Sequence, residues 1–263
     1  MEVTDRIHVI KGRPYVRVLT TVHNVCKDHR FRVLFPTAID TSVSFAETPF
    51  AIVERPIAAP PEAAKWHERL NSEKPFTTFC GLQDKRRGLA LLAPFAPHEC
   101  AVYDTPDRTL ALTLFRSTFM TFCTSGEPDG ELLTDLDFEY LLFPFSPPFN
   151  PVEAARHVAE AQAGVRTHYT SKAGAEDSFV ELTRNVAVVT ALKPSADGSG
   201  GVIRLWNPTN RPVEEMVRFK LALKSAESCS LNEENRKPLV LQDKHNCSIS
   251  VPGRGLATVY FTW

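Results

Sequence analysis

The stretch Thr20–Thr37, "TTVHNVCKDHRFRVLFPT", decides how the start of the fold is interpreted. Within seven positions it holds four potential metal ligands, His23, Cys26, Asp28 and His29. The flanking runs combine β-branched and apolar residues as strands do, and turn-forming Asn24 lies between them. A zinc site usually draws on a second ligand cluster, and the sequence offers none. We therefore predict a β-hairpin here, with a metal site as the less favoured alternative.

The pattern of short strands continues to residue 145. Seven more segments are rich in β-branched, apolar or aromatic residues and are separated by Pro, Gly or Asp: "SVSFAE", "FAIVERPI", "FTTFCGL", "GLALLAPF", "ECAVYD", "TLALTLFRS" and "FEYLLFPF". Short strands at this spacing are typical of an all-β sandwich. One interruption, "PEAAKWHERLN", is helical at most, with Pro61 at a plausible first position.

A second interruption predicts a helix at about residues 151–163. Asn150 is suited to cap it, Pro151 to open it and Gly164 to end it. The polar run that follows reads as a linker. We therefore predict a large β-sandwich over residues 1–175, including this helix and linker, and a small C-terminal β-sandwich over residues 176–263. In the small unit, "SADGSG" predicts a hairpin turn.

Composition limits the classes of partner. The chain has 263 residues, of which 43% are hydrophobic, with 30 basic and 31 acidic residues. Since no long basic run occurs, nucleic acid and anionic membranes are poor candidate partners. No run is long and apolar enough to span a bilayer, and the start lacks a signal core, so we expect a cytoplasmic protein. Buried free thiols are the favoured interpretation of the six cysteines.

Residues suited to chemistry are few, and no nucleotide-binding, nucleophile-elbow or metalloprotease motif occurs. Asp135, Asp137 and Glu139 alternate along one strand, so they share a face that could serve a glycosidase. A solvated strand face explains them equally simply, and we favour it. Arg116 interrupts an apolar strand, where a guanidinium must find a carboxylate, carbonyls or a ligand. Arg86 and Arg87 follow Asp84 in a predicted turn.

The order of the segments adds a resemblance. Six segments in register resemble the β-rich region that follows the catalytic domain of glycoside hydrolase family 38, the α-mannosidase family: "DHRFRVLFPT", "FAIVERPI", "DKRRGLALL", "TLALTLFRS", "FEYLLFPF" and "VAVVTALKPSADGSGGVIRLWNPTNRPVE". The final "RGLATVYFTW" fits the last strand of such proteins. Before "FEY", where family members often carry a histidine, this chain has Asp137.

The resemblance implies a galactose-mutarotase-like super-sandwich followed by smaller β units. It implies a parent enzyme that hydrolyses α-mannosidic bonds with retention, using an aspartate nucleophile and a divalent metal, commonly zinc. Because those groups belong to an N-terminal catalytic domain that this chain does not resemble, we expect no catalytic residue and no metal here. The chain would be a C-terminal piece, inactive alone, whose partner is that missing domain; homo-oligomerisation is also open.

The resemblance also implies that this region walls the sugar pocket, with an arginine reaching the α-mannoside. We predict Arg116 in that role, with Arg86 and Arg87 behind it; a structural ion pair at Arg116 is the equal alternative. A stand-alone mutarotase-like enzyme would instead use His98, Glu99 or Glu139 as acid and base. A carbohydrate-binding module would need exposed aromatic residues, and the candidates are Trp66, Tyr169 and Trp206. For Trp206 a place in the core is favoured.

Overall fold

The computed structural model describes residues 1–68, 70–95, 99–120, 125–170, 174 and 178–263. The chain divides into two compact units: residues 1–150 with 157–163, and residues 151–156 with 164–263. The predicted boundary at residue 175 lies outside the described residues. The architecture is the predicted one, mostly β with a single α-helix among the described residues.

The described residues of the first unit form eleven strands: β1 Glu2–Val9, β2 Val16–His23, β3 His29–Phe35, β4 Val43–Thr48, β5 Ala51–Pro56, β6 Lys74–Pro75, β7 Phe79–Gln83, β8 Gly88–Leu92, β9 Glu99–Val102, β10 Leu110–Ser117 and β11 Asp135–Phe145. They form a seven-stranded sheet in the order β1-β2-β11-β8-β7-β4-β5 and a four-stranded sheet in the order β3-β10-β9-β6. All described pairings in both sheets are antiparallel. Two 3-10 helices, Pro61–Lys65 and Pro128–Glu131, interrupt the strands.

A hydrophobic core lies between the two sheets of the first unit. Leu91 and Tyr140 from the seven-stranded sheet pack with Leu112 and Phe115 from the four-stranded sheet in a single buried cluster. Because inward-facing residues of both sheets share this cluster, the unit is a β-sandwich. The sandwich predicted for this region is therefore confirmed.

The hairpin predicted at Thr20–Thr37 is wrong. Strand β2 pairs with β1 and β11, whereas β3 pairs with β10 in the other sheet. The connection is an arch between sheets, and Asn24 holds it: its amide nitrogen donates to the Leu132 carbonyl at 2.9 Å, and its backbone N–H donates to the Thr134 carbonyl at 3.0 Å. These distant contacts override the local turn signal, which marks a change of direction without saying which strand comes next.

In the part of the second unit that the structure describes, there are eight strands: β12 Val180–Leu182, β13 Val188–Pro194, β14 Gly201–Asn207, β15 Val213–Phe219, β16 Ser225–Cys229, β17 Lys237–Pro238, β18 Asn246–Val251 and β19 Gly255–Thr262. A three-stranded sheet, β12-β15-β18, and a five-stranded sheet, β13-β14-β19-β16-β17, enclose a core that includes Ile203, Phe219 and Phe261. The predicted "SADGSG" hairpin is confirmed, since Pro194 pairs with Gly201.

The predicted helix is also confirmed. Helix α1 spans Pro151–Ala163, and Gly164 follows it with a left-handed φ of 62°. That conformation suits glycine because it lacks a Cβ. Among the described residues, no helix is both long and apolar enough to cross a membrane.

The cysteines in the described part of the chain are free thiols: Cys26, Cys80, Cys100, Cys229 and Cys247. Cys80 and Cys100 are buried, and their thiols lie within hydrogen-bonding reach of each other. Burial raises the pKa of the Cys80 thiol well above its usual value. Buried free thiols are the interpretation that the sequence favours; all five are free, but only Cys80, Cys100 and Cys247 are buried, whereas Cys26 is exposed and Cys229 is partly buried.

Candidate functional site

A bulge in β10 decides where Arg116 points. Strict alternation would place Arg116 on the same face as Leu112 and Leu114, which lie in the core. The register with β3 shifts between Thr113 and Phe115, so Leu114 and Phe115 both face the core. The bulge turns Arg116 to the outer face of the four-stranded sheet, where its side chain is 48% exposed.

On that face Arg116 joins a network of charged side chains. Its Nη2 donates to Glu99 Oε2 at 2.6 Å, and the other Glu99 oxygen lies 4.0 Å from Arg30 Nη1. Glu73 is nearly buried, and its Oε1 lies 2.6 Å from Arg30 Nη1 and 2.5 Å from Arg32 Nη2. We call Arg30, Arg32, Glu73, Glu99 and Arg116 the arginine network. Three guanidinium groups face two carboxylates, which leaves an excess positive charge beside exposed Arg116.

The network can bind an oxygen-rich ligand. Arg116 makes one hydrogen bond within the described residues, and a guanidinium has five N–H donors. The remaining donors can reach sugar hydroxyl or carboxylate oxygens. The same geometry satisfies the alternative prediction, a structural ion pair, so the role of Arg116 stays a prediction.

Arg86 and Arg87 lie in a different place, in the turn between β7 and β8. Asp84 organises the turn by accepting the backbone N–H groups of Arg86 at 2.7 Å and Arg87 at 2.9 Å, which hold the pKa of its carboxyl below the usual value. Arg87 Nη2 donates to the Ala38 carbonyl at 2.7 Å. With Asp40, these residues line a broad open groove of about 1320 Å³.

The structure separates the predicted arginines into two clusters. Arg116 pairs with Arg30 at the start of β3, whereas Arg87 contacts Ala38, beyond the end of β3. Along β3, from Arg30 to Phe35, the backbone advances by about 16 Å at about 3.3 Å per residue. Arg116 and Arg87 therefore contact different segments, one at the start of β3 and one beyond its end.

The acidic triplet on β11 shares one face, as the alternation predicts. Each carboxylate bonds to a side chain of β2: Asp135 to His23 at 2.6 Å, Asp137 to Thr21 at 2.6 Å, and Glu139 to Arg17 at 2.9 and 2.8 Å. All three carboxylates therefore take part in cross-strand pairs.

The potential metal ligands of the opening stretch diverge. His23 bonds to Asp135, Asp28 accepts the backbone N–H of Phe119 at 3.1 Å, and the His29 ring packs edge-on against Phe115. Among the described residues, no three or more His, Cys, Asp or Glu side chains gather where a metal ion could bind. The residues present here therefore do not fit a metal site.

The structure also locates most of the residues predicted for the two alternative functions, a mutarotase-like enzyme and a carbohydrate-binding module. His98 lies outside the described residues, and Glu99 and Glu139 are each bound to an arginine. Tyr169 is 95% exposed and Trp66 about half exposed, whereas Trp206 is buried, as predicted. Exposed Tyr169 and Trp66 keep a carbohydrate-binding module open as an alternative.

Sequence reasoning missed Arg30, Arg32 and Glu73. Arg30 and Arg32 stand two positions apart in β3, and that spacing alone indicates a shared face. Glu73 lies between strands, and no local signal shows that it reaches β3.

Comparisons with known proteins cover both units. Residues 1–131 match the family described as "Glycosyl hydrolases family 38 C-terminal domain", and residues 187–254 match "Glycosyl hydrolases family 38 C-terminal beta sandwich domain". A protein of Halalkalibacterium halodurans named "Putative mannosylglycerate hydrolase" is 24% identical over 264 residues. That match covers 95% of this chain and 27% of the relative.

Two solved structures share the fold. An alpha-mannosidase from Enterococcus faecalis V583 superposes with a TM-score of 0.79 at 20% identity, over 99% of this chain and 29% of its own. A glycosyl hydrolase family 38 protein from Enterococcus faecalis superposes with a TM-score of 0.75 at 19% identity. That match covers 99% of this chain and 30% of the other. This chain therefore spans less than a third of the length of each relative.

Proposed function

The chain belongs to the C-terminal β region of glycoside hydrolase family 38, and from that premise we propose that it is the non-catalytic β region of a larger enzyme that hydrolyses α-mannosides. The main support is the pair of family matches, one in each unit, which are both described as C-terminal. The lengths of the relatives leave room for a separate catalytic part.

In this proposal the region supports the catalytic part and contributes to the wall of its sugar pocket. Arg116 is the wall residue, because it combines a half-exposed guanidinium with N–H groups that lack partners among the described residues. Glu99 orients it from one side, which leaves the remaining donors to meet substrate oxygens. Arg86 and Arg87 are the second choice for this role.

The nucleophile and metal of the reaction belong to the catalytic part. A divalent metal, commonly zinc in this family, would be held there. The catalytic part is the partner that we propose. A cytoplasmic location agrees with the five free thiols in the described part of the chain.

Replacing Arg116 in the whole enzyme tests this function. We expect Arg116→Ala to lower kcat/KM for p-nitrophenyl α-mannoside by about 10–100-fold, because a hydrogen bond to a charged group contributes about 1.5–3 kcal/mol. The melting temperature should barely change, since a half-exposed ion pair contributes less than about 1 kcal/mol. Steady-state kinetics and a thermal unfolding curve measure both effects.

Two further variants distinguish a substrate-binding role of Arg116 from a purely structural ion pair. Arg13→Ala removes another half-exposed arginine, paired with Glu160, and should leave kcat/KM unchanged. Glu99→Gln removes the charged partner of Arg116 and should cost less activity than Arg116→Ala. If Arg116→Ala keeps full kcat/KM, the ion pair is only structural. An intact enzyme that hydrolyses neither this probe nor mannosylglycerate would overturn the proposed function itself.

A further inference from the structure

Strand β1 extends the core-facing side of the seven-stranded sheet beyond the core. Register places Ile7 beside Val18 of β2 and Tyr140 of β11 in one row. Val18 and Tyr140 are buried in the core, but Ile7 is 67% exposed. Val3 and Val9 share the face of Ile7 and are 41% and 82% exposed. The edge of the sheet thus exposes the apolar side chains of Val3, Ile7 and Val9, which the described residues leave uncovered.

The remaining side chain of β1 on this face does not disfavour packing against an apolar partner. Its one charged residue in β1 is Asp5, whose carboxylate already accepts the hydroxyl of buried Thr20 at 2.6 Å. We define the β1 face as Val3, Asp5, Ile7 and Val9. Adjacent Ile7 and Val9 are the most exposed apolar side chains of this face, and clustered exposed apolar groups are a feature of interaction surfaces.

The backbone of β1 is also open on one side. β1 lies at the end of the seven-stranded order, and within the described part of the chain it pairs with β2 alone. All eight of its residues are exposed, and it contains no proline or described bulge. Long, regular edge strands of this kind invite pairing with another segment, and proteins usually cover them.

A second copy of the chain fits this edge poorly. In a two-fold antiparallel pairing, the residue on the axis lies opposite its own copy. The two registers that pair the most residues place Asp5 opposite Asp5 or Arg6 opposite Arg6, and like charges directly opposite are destabilising. A register centred on Ile7 leaves Val3 without a partner.

We propose that the catalytic part of the whole enzyme packs on the β1 face. This inference rests on the proposed function, in which the polypeptide upstream of residue 1 leads to the catalytic part. That part is then tethered directly to β1, so its effective concentration at this face is high and no separate association step is needed. An apolar surface on the catalytic part would cover Val3, Ile7 and Val9. These residues lie opposite Val22, Val18 and Val16 of β2.

Cysteine labelling of the whole enzyme tests the β1 face. Ile7→Cys places a thiol on the face, and His8→Cys places one on the opposite face of the same strand as a matched control. Under native conditions, we expect maleimide to modify Ile7→Cys at least about tenfold more slowly than His8→Cys, because a buried thiol is inaccessible. Peptide mass spectrometry follows each site, with exposed Cys26 as an internal reference. Val9→Cys provides a second thiol on the face should Ile7→Cys fold poorly.

The outcomes distinguish this inference from the proposed function. Slow labelling of the face in an enzyme much heavier than 29.3 kDa supports both. Equal rates at Ile7→Cys and His8→Cys in such an enzyme overturn the β1 face and leave the proposed function standing. A native product of 29.3 kDa overturns both the proposed function and the proposal that the catalytic part covers the β1 face. In that product, protection that grows with protein concentration would assign the face to a second copy.

Discussion

Glu215→Ala is expected to lower the free energy of unfolding of the second unit by about 3–5 kcal/mol. Glu215 is fully buried in β15. One carboxylate oxygen accepts the backbone N–H groups of Arg184 at 2.9 Å and Met216 at 3.0 Å, and the other accepts those of Val186 at 2.8 Å and Ala187 at 3.2 Å. Truncation leaves these donors without their acceptor and releases the segment that leads into β13. Urea unfolding of the purified protein measures the loss.

Two companion variants make this result specific. Glu214→Ala removes the adjacent exposed carboxylate and should change the free energy of unfolding by less than about 0.5 kcal/mol. Glu215→Gln keeps one acceptor oxygen but turns an NH2 group toward backbone donors, so its loss should be smaller than that of alanine but clearly measurable. An unfolding midpoint of Glu215→Ala equal to that of the unmodified protein would show that the four contacts do not stabilise the unit.

Glu73→Ala should destabilise the first unit by about 2–3 kcal/mol. The Glu73 carboxylate lies between Arg30 and Arg32, which are neighbours on one face of β3. Its removal leaves two partly buried guanidinium groups side by side, with the more distant Glu99 as the remaining carboxylate near Arg30. Because Arg30 also lies near Glu99, we expect the orientation of Arg116 to change as well. Urea unfolding reports the first effect, and kcat/KM of the whole enzyme reports the second.

A double variant tests the electrostatic explanation. Adding Arg32→Leu to Glu73→Ala removes one of the two unpaired charges, so part of the lost stability should return. Glu54→Ala, at an exposed position of β5, is the matched control and should have little effect. If Arg32→Leu deepens the loss instead, Glu73 acts through packing, and the charge argument is wrong.

Much of the fold follows from local sequence signals. Helix α1 has a proline at its start and a glycine after its end, and both act within one turn of the helix. The hairpin at Pro194–Gly201 is likewise encoded by its own turn residues. Such elements are predictable because the residues that specify them are neighbours in the chain.

Features that depend on distant partners were not predictable. The arch at Asn24 depends on the Leu132 and Thr134 carbonyls, more than 100 positions away. Strand β1 was not predicted, because charged residues separate its apolar residues. Its pairing with β2 is also not visible in the local sequence. The bulge that turns Arg116 outward has no sequence signature here, since every residue of "LALTLF" suits a regular strand.

The candidate site was predicted only in part. Arg116 was selected because a guanidinium in an apolar strand requires a partner, and Glu99 is that partner. The contribution of Glu73 is visible only in three dimensions. Arg86 and Arg87 were second choices for the same role on the strength of the resemblance, and they lie in the turn between β7 and β8 of the seven-stranded sheet, whereas Arg116 lies in the four-stranded sheet.

We propose that this chain is the β region of a longer α-mannoside hydrolase. The most direct test is the mass of the native polypeptide in its source cells, measured by immunoblot with an antibody against residues 178–263 and by intact mass spectrometry. We expect one polypeptide several-fold heavier than 29.3 kDa, in line with the 27–30% of each relative that this chain spans. A native product of 29.3 kDa would contradict it.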